Sequence, residues 1–290
     1  MKANSESLKR VVSSHLAETI ESLTPVAGGD ISHAFRAMTR NGKSLFIKTH
    51  PHPPPQFFEA ESQGLAMLQK SKSLAVPTIR AVISEPELEA LILEWVEPGP
   101  MQAHTSEEFG RGLAMLHRSQ APYFGLDNDN YIGTLKQPNR VSQNWTEFFD
   151  HYRIRPQMQL AQSNGYLPKS VRLELEALLQ RLPELVDTSE PPSPLHGDLW
   201  GGNRLIDASG NSWLIDPAFY FGNREVDLAM MKLFGGFDQV VFDAYAEAFP
   251  LPAGWRERTE LYQLYPMLVH LNLFGTSYLG SVANIVKRYL

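Results

Sequence analysis

At 290 residues the chain is about twice the usual length of a single domain, which predicts two lobes. With 43% hydrophobic, 10% aromatic and 20% charged residues it has enough apolar matter for a large core, excluding a disordered or fibrous chain. Lys and Arg number 26 against 32 Asp and Glu, a net charge of −6 that argues against a nucleic-acid binder driven by bulk positive charge, and the absence of cysteine excludes disulfide frameworks, thiolate metal sites and thiol nucleophiles.

In chain order, the opening segment MKANSESLKRVVSSHLAETI interrupts every apolar stretch with Ser, Lys, Arg or Glu, unlike a secretion signal, and a reducing, cytoplasmic setting is expected. Gly28-Gly29-Asp30-Ile31-Ser32 reads as a turn. Extended patterns over residues 34–38 and 44–49 flank Asn41-Gly42, the residue pair a tight hairpin turn favours, so two antiparallel strands are expected. The prolines at 51, 53, 54 and 55 make a stiff loop, after which Phe57, Phe58, Glu61, Leu65 and Leu68 fall on one face of a helix. A strand over 90–96 runs into Pro98-Gly99-Pro100, where we place the boundary between lobes of residues 1–97 and 98–290. Phe109, Leu113 and Leu116 mark a further helix, and helical patterning continues over 145–186. Residues 266–286 are apolar but carry His270, Asn272 and Asn284, so a packed C-terminal helix is expected there and no membrane span.

Chemistry concentrates in His196-Gly197-Asp198-Leu199-Trp200-Gly201-Gly202-Asn203 and the segment after it. Arms over 204–207 and 212–215, joined by Ala208-Ser209-Gly210-Asn211, form a hairpin whose open end sets Asn203 beside Asp216. An amide oxygen next to a carboxylate suits Mg²⁺, which takes few protein ligands plus substrate phosphates. Asp198 precedes Asn203 by five residues, the interval of the protein-kinase catalytic loop, where the Asp accepts the acceptor hydroxyl's proton and the Asn holds metal. His196 is expected to be structural. Upstream, Lys48 ends the second strand and Glu61 lies on the apolar helix face, where an unpaired carboxylate is costly; a Lys48–Glu61 ion pair removes that cost, the alternative being that Glu61 or Glu59 sits at the helix edge in water. Gly28, Gly29 and Ser32 then become phosphate-approaching loop residues, and the backbone of Glu94 and Val96 faces adenine. Trp200, beside the base, either stacks on the acceptor or belongs to the core.

These residues, with Phe46-Ile47-Lys48, Asp129-Asn130-Tyr131-Ile132-Gly133, Trp145, Phe148-Phe149, Asp216-Pro217-Ala218, and 222–237 from Gly222-Asn223-Arg224 to Gly235-Gly236-Phe237, resemble the fructosamine kinases (ketosamine-3-kinases) along nearly the whole chain. The resemblance implies an α+β, bilobal protein-kinase-like fold, with an antiparallel-sheet lobe carrying one helix and a mainly helical second lobe. It implies ATP- and Mg²⁺-dependent phosphorylation of the sugar O3 of free or protein-bound ketosamines, after which the phosphate product falls apart and frees the amine. Carried over, it makes Asp198 the base, Asn203 and Asp216 the Mg²⁺ ligands, Lys48 with Glu61 the phosphate clamp and Trp200 a substrate contact. Asp227 either braces the catalytic loop or simply begins a helix. A monomer acting without nucleic acid or membrane is expected. Asn223 stands where the family often has His, and Leu135-Lys136 interrupts a stretch expected to read Thr-Pro. Two other readings compete: a phosphotransferase for aminoglycosides, choline or other amino alcohols, and a nucleotide-binding scaffold without catalysis.

Overall fold

Along β3 (Ser44–Thr49) burial alternates residue by residue, as the pleat of a strand requires: Leu45, Ile47 and Thr49 face one side, Phe46 and Lys48 the other. The computed structural model describes residues 5–26, 32–86 and 88–290. Around β3 an antiparallel sheet forms from β1 (Ile20–Val26), β2 (His33–Thr39), β4 (Ile79–Glu85) and β5 (Leu88–Glu94), in the order β1-β2-β3-β5-β4. The Gly28–Ile31 turn lies outside the described residues.

Each face of the sheet is covered by a helix. Leu8 and Val12 of α1 (Ser5–Leu16) pack on Ile47, Ala90 and Ile92, whereas Phe58, Leu65 and Leu68 of α2 (Phe57–Ser71) share a core with Leu91 and Leu93. The period-two alternation of β5 thus sends neighbouring residues into two different cores. The α2 core also takes in Leu199, Leu214, Phe219 and Leu228, so it continues into the second half of the chain. That half is helical: α3 (Thr105–Arg118), α4 (Trp145–Phe149), α5 (Arg155–Ser163), α6 (Lys169–Leu185), α7 (Glu225–Phe234), α8 (Gln239–Ala248), α9 (Trp255–Phe274) and α10 (Leu279–Arg288). Trp145 stacks on Phe148 and Phe149 and donates its indole N–H to the Tyr262 hydroxyl at 3.0 Å, tying α4 to α9. Gly110 lets α3 meet α8 closely: a Cβ there would lie 2.3 Å from the Val241 carbonyl oxygen.

Several elements differ from expectation. The first part of the chain carries α1 as well as the anticipated helix, and two edge strands, β1 and β4, that sequence patterning did not reveal. Pro25, Glu21 and Ser22 break the alternation of β1, which an edge position tolerates because one side of the ladder needs no donor. The strand expected over 90–96 ends at Glu94. The helical stretch 145–186 is interrupted by a π-helical turn at Asp150–Ile154 and by the loop between α5 and α6. Residues 266–286 form two helices, not one: Gly275, at φ +91°, ends α9 before α10 begins. No helix among the described residues is long and apolar enough to cross a membrane.

Candidate active site

After the short antiparallel pair β6 (Asn130–Ile132) and β7 (Leu135–Gln137), the Asp198 loop follows β8 (Ser193–Leu195), which pairs with β11 (Tyr220–Gly222). Gly197 makes the turn possible: its φ is +83°, and a Cβ would sit 2.1 Å from the Ala218 carbonyl oxygen. Asp227, in the first turn of α7 and fully buried, accepts the His196 N–H at 2.7 Å and the Gly197 N–H at 2.9 Å, and lies 3.2 Å from His117 Nε2. It therefore braces the Asp198 loop from a helix start. His196 is also fully buried; its Nε2 donates to the Ile215 carbonyl at 2.9 Å and its Nδ1 accepts the Asp198 N–H at 3.3 Å. Burial lowers its pKa, keeping the ring neutral and structural.

The hairpin after the loop consists of β9 (Arg204–Ile206) and β10 (Ser212–Leu214), with Arg204 opposite Leu214 and Ile206 opposite Ser212. The register is one residue away from the expected one. The Ile215 N–H bonds the Asn203 carbonyl at 3.1 Å, so Asn203 faces Ile215 instead of Asp216 across the ladder. The cause is Asp207, whose carboxylate accepts the Ser209 and Asn211 N–H groups at 2.9 Å and the Trp213 indole N–H at 2.9 Å, drawing the residue into the turn. The Trp213 bond, with the others, holds its pKa down at about 2.

Lys48 meets both oxygens of Glu61, at 3.1 and 2.9 Å, and Asp216 Oδ1 at 2.9 Å. α2 supplies the glutamate from its apolar face and β3 the lysine. Burial works against the ammonium, but the charges of Asp216 and Glu61 outweigh it and raise the Lys48 pKa, so the lysine stays charged. Burial likewise raises Glu61, while Lys48 holds Asp216 below the usual carboxylate value. Asp216 adopts φ +53°, a left-handed conformation that Asp tolerates better than most residues and that here re-aims the chain after β10. At Asp198 burial, reinforced by Asp216 and Asp227, pushes the carboxyl up to about 7, while the Asn203 amide, donating to its Oδ2 at 3.1 Å, works in the opposite sense.

Lys48, Glu61, Asp198 and Asp216 all line one cavity of about 1070 Å³, with one ammonium set against three carboxylates. That surplus of negative charge fits a divalent cation. Asn203 Nδ2 is committed to the Asp198 backbone oxygen at 2.8 Å as well as its carboxylate, leaving the amide oxygen for a hard cation in the cavity that Asp216 also lines. No cage of three or more His, Cys, Asp or Glu side chains occurs among the described residues.

Ser32, Glu94, Val96 and Trp200 line the same cavity, whereas Gly28 and Gly29 lie outside the described residues. Ser32 Oγ is buried without a hydrogen-bond partner among the described residues, a donor suited to an anion. Trp200 is 41% exposed, not a core residue, and lies across Gly202, where a Cβ would meet the indole at 2.2 Å. Sequence reasoning missed His117, which reaches Asp227 from 110 residues away, and Tyr131, whose hydroxyl donates to the Pro55 carbonyl at 2.7 Å and whose ring packs on Phe57 at the start of α2. It also missed Phe234, Phe274 and Tyr278, which line the cavity from the helical side.

The streptomycin–ATP complex of APH(2″)-IIa matches the whole chain with a TM-score of 0.67 at 13% identity, covering all of both chains, and this places the fold among the kinase-like phosphotransferases. Within that class, the fructosamine kinase model matches residues 4–290, and the chain belongs to that family. It is 38% identical to a "Probable ketoamine kinase" of Enterococcus faecium over 91% of this chain and 94% of that protein. It is 36% identical to "Probable ketoamine kinase YniA" of Escherichia coli K12 over 98% and 99%. A crystallised fructosamine-3-kinase candidate from Thermobifida fusca superposes with a TM-score of 0.89 at 34% identity, over 99% of each chain.

Proposed function

We propose that the protein transfers the γ-phosphoryl group of ATP to the O3 hydroxyl of ketosamines, the rearranged adducts of sugars with free or protein-bound amines, and so starts their removal. The observation that carries this reading is the convergence of Lys48, Glu61 and Asp216 with Asp198 and Asn203 on one cavity, in a chain of the fructosamine kinase family.

In this reading residues 1–97 form the nucleotide-binding lobe and 98–290 the catalytic and acceptor lobe. Adenine lies against the backbone of Glu94 and Val96, and the phosphates run past Ser32 toward Lys48, which Glu61 fixes in place; Gly28 and Gly29, outside the described residues, are assigned to the phosphates on the sequence pattern alone. Asn203 and Asp216 would hold Mg²⁺, which supplies positive charge against the phosphates. Asp198, with its pKa raised to about 7, takes the proton from O3 as the new P–O3 bond forms and the bond from γ-phosphorus to the ADP oxygen breaks. Asp227 and His196 hold the loop so that this carboxylate does not wander, and orientation supplies much of the rate. Trp200, exposed beside the base, offers a ring face to the acceptor.

The test is an acceptor panel read out as ADP release: ribulosyl-lysine, fructosyl-lysine, choline and an aminoglycoside, each with Mg-ATP. Turnover of the ketosamines is expected. Preference for choline or the aminoglycoside would overturn the substrate assignment, and no ADP release with any acceptor would leave a nucleotide-binding scaffold.

A further inference from the structure

Among the described residues, three Phe, Tyr or Trp side chains stand exposed: Trp200 (41%), Phe234 (41%) and Phe274 (48%). All three line the cavity that holds Asp198. A soluble protein that hides its other aromatic rings and leaves these in water at one cavity wall has kept apolar area for a ligand to cover.

Phe234 ends α7 and Phe274 ends α9; between them lies His270, its ring centroid 4.7 Å from Phe234, 5.4 Å from Phe274 and 5.2 Å from Tyr278. His270 Nδ1 donates to the Pro266 carbonyl at 2.8 Å, and burial lowers the ring's pKa, so this wall carries no charge at neutral pH. Met230, Val269 and Leu273 line the same cavity. Among the described residues lining the cavity, the single Lys or Arg is Lys48, already engaged by Glu61 and Asp216. A carboxylate on the acceptor therefore has no counter-cation on this wall, whereas an apolar group has several ring faces.

We propose that Phe234, Phe274 and Tyr278 form the subsite for the substituent carried by the ketosamine's amine, and that it selects adducts of apolar or aromatic amines over adducts of amines bearing a carboxylate. The inference rests on the ketosamine reading of the cavity and adds to it which amines are favoured.

The test uses the full chain with ribulosyl and fructosyl adducts of phenethylamine, propylamine and β-alanine. kcat/KM is measured for each at saturating Mg-ATP, and affinity is measured by calorimetry without nucleotide. The phenethylamine adduct is expected to exceed the β-alanine adduct by about tenfold or more in both quantities, with propylamine between. Phe234→Ala and Phe274→Ala should each shrink that ratio, with thermal melts verifying that both variants fold. Equal values across the amines, or a ratio unchanged in both variants, would overturn the subsite. If no adduct of either sugar is turned over, the kinase reading fails, and the calorimetric ranking still decides whether the wall selects apolar amines.

Discussion

Replacing Asp198 by Asn separates what this carboxylate does for catalysis from what it costs the fold. Its pKa is raised from an ordinary 3.8 to about 7, chiefly by burial. At about 1.36 kcal/mol per pH unit, that corresponds to about 4 kcal/mol between the two protonation states. The folded state then binds a proton that the unfolded state has released, so stability falls as pH rises from about 4 to about 7 and stays low above that. Because the carboxylate opens onto the cavity, water tempers the figure to about 2–3 kcal/mol. Asn has a similar shape, can still accept from Asn203, and carries no charge to desolvate. Urea melts of both proteins in EDTA should therefore find Asp198→Asn more stable by about 2–3 kcal/mol at pH 8, with the gap narrowed to about 1 kcal/mol at pH 4.5. The same variant should lose turnover by about a thousandfold or more. In the wild type, kcat/KM should fall with acidity along a limb at or below pH 7, since only the ionised base accepts the proton. A gap that does not change with pH, or a variant less stable at both values, would refute the assignment of a buried, proton-hungry carboxylate.

Glu61→Gln removes one of the two carboxylates that orient Lys48 while leaving Asp216 at 2.9 Å, so folding should persist while kcat falls about a hundredfold and KM for ATP rises; steady-state kinetics beside a thermal melt checks both. Asp216→Asn keeps a residue that tolerates φ +53° but weakens a hard-cation ligand, so the Mg²⁺ concentration for half-maximal rate should rise at least about tenfold in a metal titration. Gly197→Ala forces a Cβ against the Ala218 carbonyl and should destabilise by about 3 kcal/mol or more in a urea melt. Tyr131→Phe cuts the bond to Pro55 and keeps the ring on Phe57, so it should perturb KM for ATP less than Tyr131→Ala, which frees the start of α2.

The residues legible in the sequence announced themselves through local cost or local spacing. Glu61 on an apolar helix face demanded a cation, and the five-residue interval from Asp198 to Asn203 suggested its chemistry directly. The hairpin was legible but its register was not, because pattern alone does not reveal that Asp207 folds its carboxylate over two turn N–H groups and the Trp213 indole. Edge strands β1 and β4 carry weak alternation since one of their flanks needs no partner. The brace from His117 through Asp227 joins residues 110 positions apart, a contact set by packing of α3, α7 and α8. The aromatic wall stayed hidden for a different reason: α9 is apolar on most of its circumference, so periodicity could not separate Phe274 facing the cavity from Leu268 in the core.

The most direct measurement is phosphorus and proton NMR of the product formed from Mg-ATP and ribulosyl-lysine or fructosyl-lysine. The account predicts a single phosphate ester coupled to the sugar H3, formed by the wild type and absent with Asp198→Asn. Phosphate on another oxygen, or the same ester formed at full rate by the variant, would contradict it.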